Sequence, residues 1–173
     1  MASSFVNFEN NGFWARDGFV EAMQLCLINE IEDQKLDSIE WINEFKSELA
    51  LQSFPMIIGG MSLELEEFIT HNERKIQLVQ LIDLIIVKIA LRDNYMTGAN
   101  LHEMRKRAMN ILSETAKMEF KTPEELEEAV YSSGWILATG IVNIKEKYQH
   151  SFKLLKMLIE GEIKTTASSP DIS

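Results

Sequence analysis

A chain of 173 residues with 46% hydrophobic and 25% charged side chains has the size and composition of one globular domain. Its net charge of −10 arises early, because residues 1–69 contain 3 basic and 13 acidic side chains while residues 70–173 contain 14 of each. This charge excludes nucleic acid as the partner and favours a basic protein. The single Cys26 excludes an internal disulfide, and the first ten residues lack a secretory signal. We therefore expect a cytoplasmic protein.

The scarcity of turn residues, with 8 glycines and 3 prolines, predicts long helices. The predicted fold class is all-α, a single-domain helical bundle of about five to seven helices over residues 1–163, followed by a loose tail at 164–173. A first helix is predicted over residues 13–33, starting at the pair Phe13 and Trp14. A second is predicted over residues 38–51 with Asp37 or Ser38 as its N-cap.

Three later helices begin with capping signals. Thr70, Asn100 and Thr122 each precede a glutamate by three residues, which is the spacing of a capping box. A short helix is also expected after Ser62. The sequence leaves open whether the last segment is one kinked helix or two helices. The capped helices are predicted over residues 70–92, 101–118 and 123–160.

The most apolar stretch is "IQLVQLIDLIIVKIAL", residues 76–91. It is shorter than the roughly 20 residues that a membrane span needs, and Asp83 and Lys88 interrupt it. A membrane partner is therefore not expected, and the segment is predicted to be the central helix of the bundle.

Motifs for catalysis or metal binding are absent from the sequence. His71, His102 and His150 occur without the Glu-x-x-His or His-Glu-x-x-His spacing of metal sites. No glycine-rich phosphate loop is present, and Cys26 lies between two leucines, where a thiol is an inert small hydrophobe. The sequence therefore predicts no enzyme, no catalytic residue, no metal and no cofactor.

One face of the second predicted helix is acidic. Asp37, Glu40, Glu44 and Glu48 fall within about 80° of one another, with Trp41 beside them. An exposed tryptophan among carboxylates is typical of a protein-binding surface. The alternative is that Trp41 covers the rim of the core and the glutamates only keep the surface polar.

The loop "FPMII" at residues 54–58 adds apolar side chains near that helix. Phe54 and Ile57 either contact a partner or fold back onto the core. We include both in the predicted binding surface.

Two segments resemble a family of small helical bacterial proteins encoded beside secreted toxins. These segments are "NNGFWARDGF" (residues 10–19) and "SLELEEFITHNER" (residues 62–74), and the resemblance covers mainly residues 7–92. The family consists of immunity proteins of contact-dependent or type VI-like antibacterial systems. The resemblance implies a cytoplasmic inhibitor that binds and neutralises a cognate toxin, and it transfers no catalytic residue.

Charge and resemblance together predict a basic toxin as the partner, and a nuclease is one such class. The alternative is a non-catalytic helical adaptor or regulatory subunit of a larger assembly. The oligomeric state stays open.

Overall fold

The computed structural model describes residues 3–53, 60–115, 122, 124–125, 128 and 145–165. Within these ranges the chain is mostly helical, which confirms the predicted fold class, and a small two-stranded sheet precedes the helices. The elements are β1 (Ser3–Phe8), β2 (Asn11–Arg16), α1 (Asp17–Asp33), a 3-10 turn (Leu36–Ser38), α2 (Glu40–Gln52), α3 (Leu65–Phe68), α4 (Asn72–Leu91), α5 (Gly98–Thr115) and α6 (Lys145–Glu160).

The chain begins with a β-hairpin, so the prediction of a helix from residue 13 was wrong. Strands β1 and β2 are antiparallel, and Phe8 pairs with Asn11 across a two-residue turn. The turn residues Glu9 and Asn10 have φ of 50° and 64°. Two residues of positive φ form the turn whose twist matches that of paired strands.

The hairpin places the two aromatic side chains of the "FW" pair on opposite faces. Phe13 is fully buried in the core, whereas Trp14 lies on the other face against Phe5, with 5.4 Å between ring centroids. Helix α1 then begins at Asp17, whose carboxylate in the first turn suits the helix dipole. Ser4 Oγ donates to Asp17 Oδ1 at 2.7 Å and joins the hairpin to the helix.

Helix α1 is the central helix of the fold. The prediction that residues 76–91, which belong to α4, form the central helix was wrong. Every residue from Asp17 to Ile31 is buried, and α1 contacts α2, α4, α5 and α6. Helix α4 buries one side, chiefly against α1 and α6, and exposes large apolar residues on the other. Its exposed apolar residues are Ile76, Leu84, Val87 and Leu91.

Several helix starts differ from those predicted. The N-cap of α2 is Ile39, not Asp37 or Ser38, because the 3-10 turn uses those two residues. Helix α4 has His71 as its N-cap with no side-chain cap, so the box at Thr70 does not form.

At α5, Thr97 Oγ1 accepts the Asn100 N–H at 3.4 Å, so the helix starts before Asn100. Thr122 Oγ1 accepts the Glu125 N–H at 3.2 Å, as the third capping signal predicted. Of the predicted segment 123–160, the continuous part described is α6, and the question of a kink falls outside the described residues.

The last described residue, Thr165, is hydrogen-bonded to strand β2 of the N-terminal hairpin. Gly12 N–H donates to Thr165 O at 2.9 Å, and Thr165 Oγ1 donates to Gly12 O at 2.5 Å. Thr165 belongs to the predicted tail, and residues 166–173 lie outside the described ranges. Among the helices described, none combines the length and apolar character needed to cross a bilayer.

Candidate protein-binding surface

The acidic residues singled out from the sequence lie on the outer side of α2 and its preceding turn. Ile42, Phe45 and Leu49 are buried on the inner side, which leaves Asp37, Glu40 and Glu44 exposed. Glu48 is half-buried and accepts a hydrogen bond from Gln52 Nε2 at 2.8 Å. We call Asp37, Glu40, Glu44 and Glu48 the acidic face.

Trp41 is not an exposed part of this face, and the prediction of its exposure was wrong. The residue is 9% exposed and stacks on Phe45, with ring centroids 6.4 Å apart. Trp41 Nε1 donates to Gln77 Oε1 at 3.2 Å, and the Arg74 guanidinium lies 5.2 Å from the ring centroid. The alternative reading, in which Trp41 covers the rim of the core, describes its position.

A groove separates the start of α2 from α4, next to the acidic face. Its volume is about 290 Å³. Leu36 and Ile39 on its wall flank Asp37 in the chain, and Ile39 immediately precedes Glu40. The groove therefore combines an apolar lining with carboxylates nearby. The lining residues are Gln34, Leu36, Ile39, Ile42, Gln77, Gln80, Leu81 and Leu84.

Trp41 stands behind the wall of this groove. It lines an adjoining pocket of only about 10 Å³, which shares Leu36, Ile42, Gln77 and Leu81 with the groove. Because the Trp41 hydrogen bond fixes Gln77, the tryptophan orients a lining residue rather than reaching the surface itself.

Four of the five acidic residues of α1 have basic partners within the described part of the fold. These pairs join α1 to α2, α4 and α5, so much of the N-terminal charge excess is neutralised internally. They are Glu21 with Arg105, Glu30 with Lys88 at 2.6 Å, Asp33 with Lys88 at 3.2 Å and Arg107 at 3.3 Å, and Glu32 with Lys46 at 3.8 Å.

The acidic face differs from α1 in this respect. Among the described residues, Asp37, Glu40 and Glu44 have no ion-pair partner. Their charge therefore remains on the surface beside the groove, where it can attract a basic molecule.

The exposed apolar side of α4, which meets the groove at Leu84, was not predicted from the sequence. Four exposed apolar residues of α4 lie within about 80° of one another on a helical wheel, opposite the buried side. The signal was present, because "IQLVQLIDLIIVKIAL" contains more apolar residues than one buried side of a helix requires. We call Ile76, Leu84, Val87 and Leu91 the apolar stripe.

The predicted surface also included Phe54 and Ile57, and both lie outside the described residues. Whether they extend the groove or pack on the core stays a prediction.

We looked in the described ranges for a reactive nucleophile and for a metal site. Cys26 is fully buried with its Sγ 3.8 Å from Met96 Sδ and 4.0 Å from Met104 Sδ, and burial raises the pKa of the thiol. A thiol held protonated is a poor nucleophile. In the described part of the chain, no group of three His, Cys, Asp or Glu side chains could hold a metal ion.

Comparison with known proteins identifies no relative. No family model, no curated protein and no solved structure matches this chain.

Proposed function

We propose that this chain is an immunity protein, a cytoplasmic inhibitor that binds and neutralises a basic toxin through the acidic face. The observation that carries the proposal is the contrast in ion pairing between two neighbouring helices. Glu21, Glu30, Glu32 and Asp33 of α1 are paired within the fold, whereas Asp37, Glu40 and Glu44 of the acidic face are exposed and have no ion-pair partner among the described residues.

Unpaired carboxylates at helical spacing favour a cationic partner. Glu40, Glu44 and Glu48 are four residues apart, and like charges at this spacing destabilise a helix by about 0.2–0.5 kcal/mol per pair. A lysine or arginine placed between them removes this repulsion. The same charges attract a basic protein over about a Debye length, roughly 8 Å at physiological salt, and so speed association.

The buried position of Trp41 changes the expected contacts. A partner meets the carboxylates and the groove lining, while Trp41 supports the lining through Gln77. The toxin contact is therefore mainly electrostatic at α2 and apolar at α4.

A helical adaptor is the second candidate function. The apolar stripe favours it, since an exposed apolar helix side beside a charged surface suits a subunit of a larger assembly. An adaptor is expected to bind several partners with modest affinity, whereas an immunity protein binds one partner tightly and in a salt-sensitive way.

The test is capture from a lysate of the source cell at low and at moderate salt, followed by co-expression with the captured protein. The bait variant Glu40→Lys with Glu44→Lys reverses two charges of the acidic face. The matched control, Glu103→Lys with Glu160→Lys, makes the same charge change at exposed positions of α5 and α6.

We expect the wild type and the control to retain one basic protein and to relieve its toxicity, and the Glu40/Glu44 variant to lose both effects. Retention of that protein by the Glu40/Glu44 variant would rule out the acidic face. Several partners without toxicity would favour the adaptor.

A further inference from the structure

We infer that the groove and the apolar stripe together receive a basic amphipathic α-helix of the protein partner. The inference deepens the proposed function, on which it rests for the partner's identity, by stating the form of the segment that binds. It follows from the length of the stripe, the lining of the groove and the charges around both.

The stripe has the spacing and length of a helix-docking surface. Ile76, Leu84, Val87 and Leu91 are 49%, 43%, 51% and 79% exposed. They extend over the sixteen residues from Ile76 to Leu91, whose ends are about 22 Å apart at 1.5 Å per residue. A bound helix of about four turns would cover this length with apolar residues at i, i+3, i+4 and i+7.

The groove continues the stripe toward the acidic face. Leu84 belongs to both surfaces, and Leu81 lies deeper in the groove, opposite Leu36 and Ile39. Side chains of a docked helix can therefore enter the groove while its backbone rests on α4.

Three glutamines line the groove, and two of them are held by side-chain hydrogen bonds. Gln34 Nε2 donates to Glu30 Oε1 at 2.8 Å, and Gln77 Oε1 accepts from Trp41 Nε1. Gln80 has no hydrogen-bond partner in the described part of the chain. Its amide can serve a polar side chain of the bound helix.

The negative charge of this protein favours a basic partner over a second copy of the same chain. A second copy would bring a net charge of −10 and the same exposed Asp37 and Glu40 against this surface. Two charged residues of α4 that border the stripe already have partners, because Lys88 pairs with Glu30 and Asp83 pairs with Lys156 at 2.7 Å. A helix with lysine or arginine near Asp37 and Glu40 complements the surface that remains.

The test uses a synthetic probe, an amphipathic peptide of about 18 residues with leucine at i, i+3, i+4 and i+7 and lysine elsewhere. Two control peptides have the same composition in scrambled order, or glutamate in place of lysine. Binding to the full chain is measured by amide chemical shifts and by titration. The variant Leu84→Gln with Val87→Gln alters the stripe, and Met157→Gln, at an exposed position of α6, is the matched control.

We expect amide shifts to concentrate in residues 36–42 and 76–91, and we expect the Leu84/Val87 variant to bind about tenfold more weakly while Met157→Gln binds as the wild type. Equal binding of the scrambled peptide would overturn the inference, because charge alone would then suffice. A wild-type dimer in sedimentation that Leu84→Gln with Val87→Gln converts to a monomer would also overturn it, in favour of a second copy. Since the probe replaces the toxin, this result is independent of whether the chain neutralises one.

Discussion

Arg105 on α5 donates from its Nε to Oε1 of Glu21 on α1 at 3.0 Å, and its Nη2 donates to the same oxygen. The two side chains are 5% and 1% exposed. Removing a charge from water at such a depth costs several kcal/mol, and Arg105 offsets this cost for Glu21 in the second turn of α1. The pair also joins α5 to α1, because the guanidinium donates two hydrogen bonds to the carboxylate.

Arg105→Met is therefore expected to lower the free energy of unfolding by about 3–5 kcal/mol, because it removes the guanidinium that is hydrogen-bonded to the buried Glu21 carboxylate. Urea denaturation followed by circular dichroism measures the change. Combining Glu21→Leu with Arg105→Met removes both charges and is expected to recover most of the loss.

Lys153→Ala, at an exposed position of α6, is the control and should change stability by less than about 0.5 kcal/mol. A cost for Arg105→Met as small as that of Lys153→Ala would show that the pair does not hold the two helices together.

The ion pairs of α1 also explain why the distribution of charges along the sequence suggested a larger acidic surface than the fold has. The sequence shows 13 acidic and 3 basic side chains in residues 1–69, but not that Lys88, Arg105 and Arg107 reach back to α1. These contacts join residues more than fifty positions apart, and they depend on how the helices pack. Composition alone could not reveal them.

Trp41 gives the second prediction. Trp41→Ala is expected to cost about 3–5 kcal/mol, because it leaves a cavity beside Phe45 and frees Gln77. Trp41→Phe keeps the ring and should cost less, mainly through the lost hydrogen bond. Thermal and urea unfolding of the two variants measure the difference.

Equal stability of Trp41→Ala and the wild type would show that the contacts of the buried indole with Phe45 and Gln77 do not stabilise the fold. If the loss occurs as expected, Trp41→Ala cannot isolate an interface, and Glu40 and Glu44 are the positions at which binding is to be tested.

Helical periodicity predicted the fold class but failed at the N-terminus for a local reason. Phe13 fits a helical stripe with Val20 and Met23, and Asp17 suits a first turn wherever the helix begins. The hairpin depends instead on positive φ at Glu9 and Asn10, and glutamate seldom adopts this conformation. The apolar–polar alternation that indicates a strand is also weak here, because Phe5 and Trp14 on the outer face are apolar and the buried Ser4 is polar.

The candidate surface was predicted in part. The carboxylates were identified because their four-residue spacing is visible in the sequence, and the structure leaves three of them exposed. The groove was not predicted, because it is formed where residues 34–42 meet α4, and the periodicity of each segment does not specify how the two pack together.

Gly12 is expected to be essential to the hairpin. A Cβ added there would collide with the Val6 carbonyl oxygen and would lie 2.7 Å from the Phe5 ring. Gly12→Ala is therefore expected to cost about 2–3 kcal/mol and to loosen the link to Thr165. Urea unfolding gives the cost, and hydrogen exchange of the residue 12 amide reports the link.

Gly161→Ala is the matched control, because a Cβ there meets nothing within 4 Å and the cost comes only from its φ of 81°. We expect about 1 kcal/mol for this change and no faster exchange at residue 12. Faster exchange in both variants would show that the hairpin responds to general destabilisation rather than to the collision.

The ion pairs of Asp33 with Lys88 and Arg107 lead us to expect that stability depends on pH. Partial burial acts to raise the pKa of Asp33, but hydrogen bonds and charges from Lys88 and then Arg107 outweigh it and hold the pKa below its ordinary value. A carboxyl whose pKa is lowered on folding stabilises the protein above the pKa it has in the unfolded chain, and this contribution is lost as the pH falls through the folded value. The free energy of unfolding of the wild type should therefore exceed that of Asp33→Asn at pH 7 and approach it as the pH falls below about 4, the ordinary pKa of an aspartate.

Urea denaturation of both proteins at several pH values measures this convergence. The difference at pH 7 should shrink with added salt, because the Asp33 side chain is 38% exposed. Asp37→Asn is the control, since Asp37 has no ion-pair partner among the described residues and its replacement removes no such contact. A difference between wild type and Asp33→Asn that stays constant from pH 7 to pH 2 would mean that Lys88 and Arg107 stabilise the fold by packing, and that their charges do not act through Asp33.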